Sequence, residues 1–356
     1  MEVKLLLEHR NQSMMLVSIM LIFLGIILGF FASALLKKES PLQPPMAASQ
    51  EIRNYIIKNQ FPIPQEIPTT DEAWIDLRER VNRARAGVVG SSLEALSSRF
   101  VVSVERDEIL GVPIFRLTPE SVNTEGLFIH LHGGGRFFGG GDLAAQEGII
   151  IASKVGIEVI SIDYRVPPEN PHPAAIEDIA RVYWALFAEE PNRKYAIGGT
   201  SAGGELALAS IHYFKEMNYP IPDALYAGTP RTDATNMSDS LNVLKGIDPV
   251  LPTYDGFMDA LARLNAGSTR LDDPLISPIF GEFDKFPPVY LVTGTRDLLL
   301  SDTVRLHRKL REAGIEASLN VYDGMFHGGY LIAGESPEFH QVHNELREFL
   351  VKQFTD

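Results

Sequence analysis

One serine has the surroundings of an activated nucleophile. Residues 199–203 read Gly-Thr-Ser-Ala-Gly, between the apolar run 195–197 and the helical pattern 205–209. A Gly-x-Ser-x-Gly set between a strand and a helix is typical of a nucleophile elbow, a sharp turn that lifts the serine hydroxyl clear of a sheet. The motif alone equally fits a plain glycine-rich turn. The prediction of Ser201 as nucleophile therefore depends on the motifs around it.

A glycine-rich loop upstream could hold a negatively charged oxygen. The strand pattern 127–131 is followed by His-Gly-Gly-Gly at 132–135. Backbone N–H groups are stiff donors for the oxyanion of a tetrahedral intermediate, and glycines let that backbone approach a substrate closely. The amide of Ala202, directly after the serine, adds a donor. A merely flexible loop is the alternative, since glycines recur at 139–141, but the position after a strand and before the elbow favours an oxyanion site.

A serine nucleophile needs a base, and the base needs an orienting carboxylate. With a strand-to-helix elbow the usual chain order is Ser, then Asp or Glu, then His. Of the nine histidines, four precede Ser201. Four others fall in helical patterns: His212, His307, His340 and His343. His327 remains, in a loop with two glycines behind it that follows the strand-like run 317–322, and it is the predicted base.

The candidate acid is Asp297. It follows the strongly β-prone run 288–293, and the carboxyl ends of strands are where open α/β sheets bind their ligands. Asp302 is the second candidate, although its place at a helix start also fits a cap interacting with the helix dipole. Asp323 is the third, but it lies four residues before His327 and fits a turn.

Together these motifs resemble the hormone-sensitive-lipase-like esterases, a branch of the α/β-hydrolases, from about residue 90 to the C-terminus. The residues that carry the resemblance are His132-Gly133-Gly134-Gly135, Asp163-Tyr164-Arg165, Pro167-Pro168-Glu169, Gly199 to Gly204, Asp297 with Asp302, and His327. The resemblance implies a catalytic triad of Ser201, His327 and Asp297, and an oxyanion hole formed by the amides of Gly133, Gly134 and Ala202. Most members have Asp where this chain has Thr200, so the chain looks like the threonine-bearing (GTSAG) subgroup.

Other residues are expected to support the site rather than react. His132 and Gly135 flank the oxyanion glycines. The polar cluster 163–165, comprising Asp163, Tyr164 and Arg165, follows the strand pattern 159–162, and we expect it to pin the oxyanion loop or to serve the fold alone. Phe137 and Phe138 could line the substrate pocket or pack in the core.

The chain predicts an α/β fold. From Phe100 onward strands and helices alternate, which argues for a mostly parallel eight-stranded sheet flanked by helices. Expected strands lie near 100–106, 112–117, 126–131, 157–162, 194–198, 223–227, 288–293 and 317–322, and expected helices near 142–154, 174–188, 202–215, 301–313 and 336–353. Residues 231–266 interrupt this rhythm. With residues 51–90, which have helical stretches at 52–58 and 71–86, they are predicted to form a helical cap on a catalytic domain at 91–356.

The N-terminus carries a separate prediction. Residues 14–36 contain no charge, and 23 residues of helix at 1.5 Å each span about 34 Å, enough for the ~30 Å hydrocarbon core. This length favours an uncleaved anchor at 1–38. We separately expect the catalytic domain to be extracytoplasmic. The small residues 32–34 resemble a cleavage site, so a secreted or periplasmic protein with its signal segment cleaved is one alternative. Lysines and arginines flank the run on both sides, so a cytoplasmic-facing domain is the other alternative. The proline-containing segment 39–50 is predicted to be a linker.

Composition narrows the function classes. The chain has 356 residues, a formal net charge of −14 and no cysteine. The negative charge and the lack of a basic patch argue against nucleic-acid binding. The absence of cysteine excludes disulfides and thiolate metal sites. No histidine pair is spaced as metal ligands on one helix face, so neither metal nor cofactor is expected.

The leading function is hydrolysis of carboxylic esters with short to medium acyl chains, the chain lengths that the resemblance implies. Amide, carbamate or peptide hydrolysis is the enzymatic alternative, because the same triad performs it. A non-catalytic, membrane-tethered binding module is the alternative outside enzymes, although such a protein is expected to have lost part of the triad. The last strand, 318–322, could lie at the sheet edge and pair with a second copy, as the resemblance also suggests.

Overall fold

An eight-stranded sheet organises the part of the chain that the structure describes. The computed structural model describes residues 43–59, 66–88 and 90–355. In chain order the strands are β1 (Val102–Ile109), β2 (Val112–Pro119), β3 (Leu127–Leu131), β4 (Glu158–Ile162), β5 (Tyr195–Thr200), β6 (Ala224–Gly228), β7 (Val289–Gly294) and β8 (Ala317–Tyr322). Their order across the sheet is β1-β2-β4-β3-β5-β6-β7-β8. Strand β2 is antiparallel to both of its neighbours, and β3 to β8 run parallel.

Helices precede β1, occupy the connections from β3 to β8 and follow β8. They are α1 (Gln50–Lys58), α2 (Asp71–Ala86), α3 (Leu93–Phe100), α4 (Gln146–Ile151), α5 (Ala174–Glu189), α6 (Ala202–Glu216), α7 (Ser240–Val243), α8 (Phe257–Ala266), α9 (Leu300–Glu312), α10 (Gly329–Ile332) and α11 (Pro337–Thr355). Short 3-10 turns cover Gly141–Ala145 and Pro278–Phe280, and a π turn covers Ala152–Gly156.

The sheet is covered on both faces. Every residue of β3, β5, β6 and β7 is buried, which is the pattern of parallel strands sandwiched between helices. One core cluster joins the sheet to α5, α6 and α9, for example through Ile179, Leu206 and Leu306. A second cluster joins the opposite face to α1, α4 and α11, for example through Ile52 and Leu346. The predicted α/β-hydrolase fold is confirmed, including the eight strands and their mostly parallel pairing.

Helix α3 was not expected, and it moves the start of the first strand. The prediction places a strand from residue 100, but α3 occupies Leu93–Phe100 and β1 begins at Val102. The hydroxyl of Ser92 caps α3 by accepting a hydrogen bond from the amide of Ala95 at 3.2 Å, and Val101 ends it in the left-handed conformation with φ 53°. A serine before Leu-Glu-Ala is an N-cap pattern that could have indicated this helix.

The two segments predicted as a cap meet beside the site. Helix α2, from the segment 51–90, and helix α8, from the segment 231–266, pack together through Trp74 and Leu261. Helix α1 packs instead into the core through Ile52. The assignment of both segments to a cap domain stays a prediction.

The compact unit begins at Pro44, inside the segment 39–50 that the sequence predicts as a linker. In the part that the structure describes, Ala48 is buried and Ser49 caps α1. No helix within the described ranges is long and apolar enough to cross a bilayer. The apolar run 14–36, on which the anchor prediction rests, lies outside those ranges.

Candidate active site

The turn between β5 and α6 places Ser201 in a strained conformation. Its φ is 60° and its ψ is −120°, values that cost free energy for any residue with a side chain. The flanking glycines allow this turn to pack under β3: a Cβ added to Gly199 or Gly203 would lie 2.0 or 1.9 Å from the carbonyl oxygen of Leu131. The amide of Ser201 donates to the carbonyl of Gly228 at 2.7 Å. The backbone of this turn therefore fixes the position from which the Ser201 side chain projects.

A continuous hydrogen-bonded chain runs from this serine to a buried carboxylate. The Nε2 atom of His327 lies 2.8 Å from Ser201 Oγ, and its Nδ1 atom lies 3.1 Å from Asp297 Oδ1. Asp297 also accepts bonds from Thr293 Oγ1 at 2.8 Å and from the amide of Leu299 at 3.0 Å. The three side chains come from the loops after β5, β7 and β8, so the carboxyl ends of three parallel strands bring them together.

The electrostatics of the histidine are those of a base. Burial opposes a charged imidazole at His327, but the hydrogen bond and the charge of Asp297, together with the charge of Asp248, outweigh it and raise the pKa of His327. Burial lowers the pKa of four other histidines to about 4, namely His132, His172, His212 and His343. His327 thus accepts a proton more readily than these four histidines.

The other two candidate acids lie elsewhere. Asp302 is buried and accepts bonds from the consecutive amides 232–233 at 2.7 and 3.0 Å and from the hydroxyl of Ser238, so it ties the start of the cap segment to α9. Asp323 accepts a 3.2 Å bond from the hydroxyl of Thr295. Of the three candidate acids, only Asp297 is hydrogen-bonded to His327.

The loop after β3 passes directly over the elbow. A Cβ added to Gly133 would lie 2.8 Å from the carbonyl oxygen of Thr200 and 3.7 Å from Ser201 Cβ. Gly134 has φ +114°, a conformation that side chains disfavour. Ala202 is the first residue of α6, and the first amides of a helix lack intrahelical partners and carry the positive end of its dipole. The backbone of both segments is thus at the serine, where an oxyanion would form.

Two of the expected supporting residues contact this loop. The hydroxyl of Tyr164 donates to the carbonyl of His132 at 2.6 Å, and the two rings stack at 4.0 Å with an angle of 2°. Both carboxylate oxygens of Asp163 accept the amide of Gly141 at 3.0 Å. Burial raises the pKa of Asp163 to about 6. These contacts hold the start and the end of the glycine-rich loop.

The remaining supporting residues differ in position. Arg165 bonds away from the loop, to Asp178 on α5, with Nε 2.9 Å from Oδ2. Gly135 has φ +68° and faces the cap, since an added Cβ would lie 3.4 Å from Leu261 Cδ1. Within the described ranges, no group of three His, Cys, Asp or Glu side chains could hold a metal ion.

Known proteins share this architecture. A family model described as an alpha/beta hydrolase fold matches residues 128–331. An esterase of Acinetobacter venetianus is 30% identical over 63% of this chain and 74% of that protein. The solved structure of an esterase, E25, is 38% identical with a TM-score of 0.83, covering 88% of this chain and 97% of its own. An esterase from the bacterial hormone-sensitive lipase family is 28% identical with a TM-score of 0.73, covering 87% of this chain and 100% of its own.

The chain belongs to the α/β-hydrolase family. Within that family it is a hormone-sensitive-lipase-like esterase, so the resemblance drawn from the motifs is confirmed, and its enzyme class is serine carboxylesterase. Its assignment to the threonine-bearing subgroup stays a prediction.

Sequence reasoning missed the carboxylate behind the esterase elbow. Glu147, on α4, accepts the hydroxyl of Thr200 at 2.5 Å and its amide at 3.2 Å. The Thr200 hydroxyl also lies 2.6 Å from the hydroxyl of Tyr330, which in turn lies 2.6 Å from that of Tyr226. Because Tyr330 is three residues after His327, this network joins the elbow to the histidine loop. No local motif indicated Glu147, since it lies 53 residues from Thr200.

The two phenylalanines after the predicted oxyanion loop pack against α2 and α8. Phe137 and Phe138 are 0% and 6% exposed. The ring of Phe137 meets Trp74 edge-on at 5.3 Å, and the ring of Phe138 lies 6.3 Å from Phe257. These aromatic contacts join the oxyanion loop to α2 and α8. The interpretation of the pair as packing residues is therefore supported.

Proposed function

We propose that this carboxylesterase cleaves esters with short to medium acyl chains, with Ser201 as nucleophile, His327 as base and Asp297 as its partner. The observation that carries the proposal is the hydrogen-bonded chain from Ser201 Oγ through both nitrogens of His327 to Asp297, built at a strained elbow. Strain of this kind persists only where the surrounding structure enforces it.

In the first half-reaction Ser201 Oγ attacks the ester carbonyl carbon as its proton moves to His327 Nε2. The carbonyl oxygen becomes an oxyanion, for which we assign the amides of Gly133, Gly134 and Ala202 as donors. Asp297 stabilises the imidazolium that has formed. The bond from the acyl carbon to the alkoxy oxygen then breaks, and the proton on Nε2 passes to the leaving alcohol.

In the second half-reaction water reverses these steps. His327 takes a proton from the water as its oxygen attacks the acyl carbon, and the bond from that carbon to Ser201 Oγ breaks as the proton returns to the serine. The products are a carboxylic acid and the free hydroxyl of Ser201. The pKa of His327, raised by its carboxylates, favours the imidazolium on which both steps depend.

The short acyl preference is supported by what surrounds the oxyanion loop. The rings of Phe137 and Phe138 occupy the space between this loop and the cap, together with those of Trp74 and Phe257. A long acyl chain running in that direction would have to displace buried aromatic rings. Burial of one such ring stabilises a protein by about 1.5–3 kcal/mol, so its displacement is costly.

The test is a series of p-nitrophenyl esters from acetate to palmitate, assayed with the full chain and with Ser201→Ala. We expect kcat/KM to peak at short or medium chains and to fall below detection in the variant. A peak at palmitate would refute the chain-length proposal. Activity that survives in folded Ser201→Ala would refute the assigned nucleophile. Failure on every ester, with turnover of p-nitroanilides, would favour amide hydrolysis.

A further inference from the structure

A second buried carboxylate reaches the triad from the cap segment. Asp248 lies between α7 and α8 and is 1% exposed. Its Oδ2 atom accepts the amide of Leu298, the residue after Asp297, at 2.9 Å. The same oxygen accepts the amide of His327 itself at 3.1 Å. One oxygen atom therefore links the backbone of the acid loop to the backbone of the base loop.

The other oxygen of this carboxylate anchors it to its own loop. Asp248 Oδ1 accepts the amides of Val250 and Leu251 at 2.8 and 3.1 Å. Four backbone N–H groups thus fix the carboxylate, and hydrogen bonds of this kind to a charged acceptor are stronger than those between neutral groups. The loop from the cap segment cannot shift without breaking bonds to the triad loops.

We propose that Asp248 is a positioning residue of the catalytic triad: it holds the loops of Asp297 and His327 together, and its charge stabilises the imidazolium form of His327. This inference rests on the proposed function, because it assigns His327 as the base. It adds a carboxylate that bonds to the backbone of the histidine rather than to its ring.

The ionisable groups that face Asp248 influence its pKa and therefore its charge at a given pH. They are His327, Asp297 and the hydroxyl of Tyr55 on α1, whose ring stacks on Phe326 at 4.7 Å. Burial and the charge of Asp297 raise the pKa of Asp248, while the charge of His327 and the backbone hydrogen bonds lower it, and together they bring this pKa to about 6. Asp248 is therefore mostly charged above pH 6, where a serine esterase needs its histidine neutral and ready to accept a proton.

The effect of the Asp248 charge on the pKa of His327 can be estimated from the distance between the two groups. A unit charge roughly 8 Å away, at an effective dielectric constant near 20, shifts a pKa by about 1.5 units. Asp248 is partly protonated near pH 6, so we expect its neutralisation to lower the pKa of His327 by about one unit, tenfold in the protonation equilibrium. The acid limb of the kcat/KM profile should move to lower pH by the same amount.

The variants are Asp248→Asn and Asp248→Ser in the full chain. Neither carries a charge, and they differ in size and in hydrogen-bonding capacity. Asp302→Asn is the matched control, because Asp302 is also a buried aspartate that accepts backbone amides, two against the four of Asp248, and ties down the cap segment without bonding to Asp297 or His327. Circular dichroism and thermal unfolding establish which variants fold.

Two readouts separate positioning from a merely structural role. The first is the pH profile of kcat and kcat/KM on p-nitrophenyl butyrate. The second is an NMR titration of the His327 Cε1–H signal, assigned with His327→Gln, which needs no turnover. We expect both Asp248 variants to lower kcat about tenfold or more with little change in KM. We expect the pKa of His327 to fall in both, and to stay at its wild-type value in Asp302→Asn.

Each outcome has one meaning. An unchanged pKa of His327 in a folded Asp248 variant overturns the inference, whatever the activity. If the wild-type chain hydrolyses no ester but the pKa of His327 still falls in the Asp248 variants, the electrostatic part of the inference is supported and the proposed function is refuted. Failure of both Asp248 variants to fold, while Asp302→Asn folds, overturns the inference in favour of a folding role.

Discussion

The change Asp297→Asn removes one charge from the proposed triad while leaving its geometry. Oδ1 accepts from His327 Nδ1 and from the amide of Leu299, and Oδ2 accepts from the hydroxyl of Thr293. An asparagine with its oxygen at the Oδ1 position keeps the first two bonds. Its amide nitrogen then faces the Thr293 hydroxyl, which can turn and accept. The substitution therefore isolates the charge.

The size of the loss follows from the distance. With the charges of Asp297 and the imidazolium about 4 Å apart and an effective dielectric constant near 20, their attraction is about 4 kcal/mol. This attraction is present only when His327 is protonated, as it is in the transition state. Its loss should lower kcat by about 10³-fold, since each 1.36 kcal/mol is tenfold in rate.

The assay is the steady-state hydrolysis of p-nitrophenyl butyrate at pH 8 by wild type, Asp297→Asn and Asp302→Asn. We expect the 10³-fold loss in Asp297→Asn alone, with KM nearly unchanged. Asp302→Asn should retain activity within a few-fold, because Asp302 bonds to the cap segment rather than to His327. A loss below tenfold in Asp297→Asn, with a large loss in Asp302→Asn, would refute the assignment of the acid.

Three further predictions follow from the same contacts. Gly203→Ala should yield inactive and strongly destabilised protein in thermal unfolding, because the new Cβ would lie 1.9 Å from the Leu131 carbonyl oxygen; normal activity would contradict the elbow geometry. The acid limb of kcat/KM should have its midpoint above pH 6.5, because activity is lost as His327 gains a proton and its pKa is raised; a midpoint below 6.5 would contradict that direction. Trp74→Ala should cost about 3–5 kcal/mol of unfolding free energy in urea titration. Trp74→Ala should also shift the ester preference toward longer acyl chains. An unchanged preference would argue that the aromatic cluster does not limit the length of the acyl chain.

The sequence predicted the sheet and the candidate triad because each has a local pattern. Buried parallel strands appear as apolar runs, and all eight strands of the sheet, parallel and antiparallel, were predicted near their observed positions. The elbow, the acid after β7 and the histidine after β8 each directly follow such a run, so their order along the chain was sufficient. The edge position expected of the last strand is where β8 lies, while pairing with a second copy stays a prediction.

The missed residues depend on contacts between distant segments. Asp248 stands before a proline and accepts the amides of residues 250 and 251, so in the sequence it is indistinguishable from an ordinary turn residue. Its bond to His327 spans 79 positions. Glu147 reads as a polar residue of an amphipathic helix, although it accepts the hydroxyl of Thr200. That bond gives a physical account of the threonine at the elbow, which the motif alone left open.

The central claim is that Ser201 forms a covalent intermediate, and trapping that intermediate tests it most directly. The full chain would be treated with diethyl p-nitrophenyl phosphate, which transfers its phosphoryl group to an activated serine, and then digested and mapped by mass spectrometry. We predict one diethylphosphoryl group per chain, on Ser201, with release of one p-nitrophenol and complete loss of esterase activity. A label on another residue, or full inactivation with Ser201 unmodified, would contradict the account.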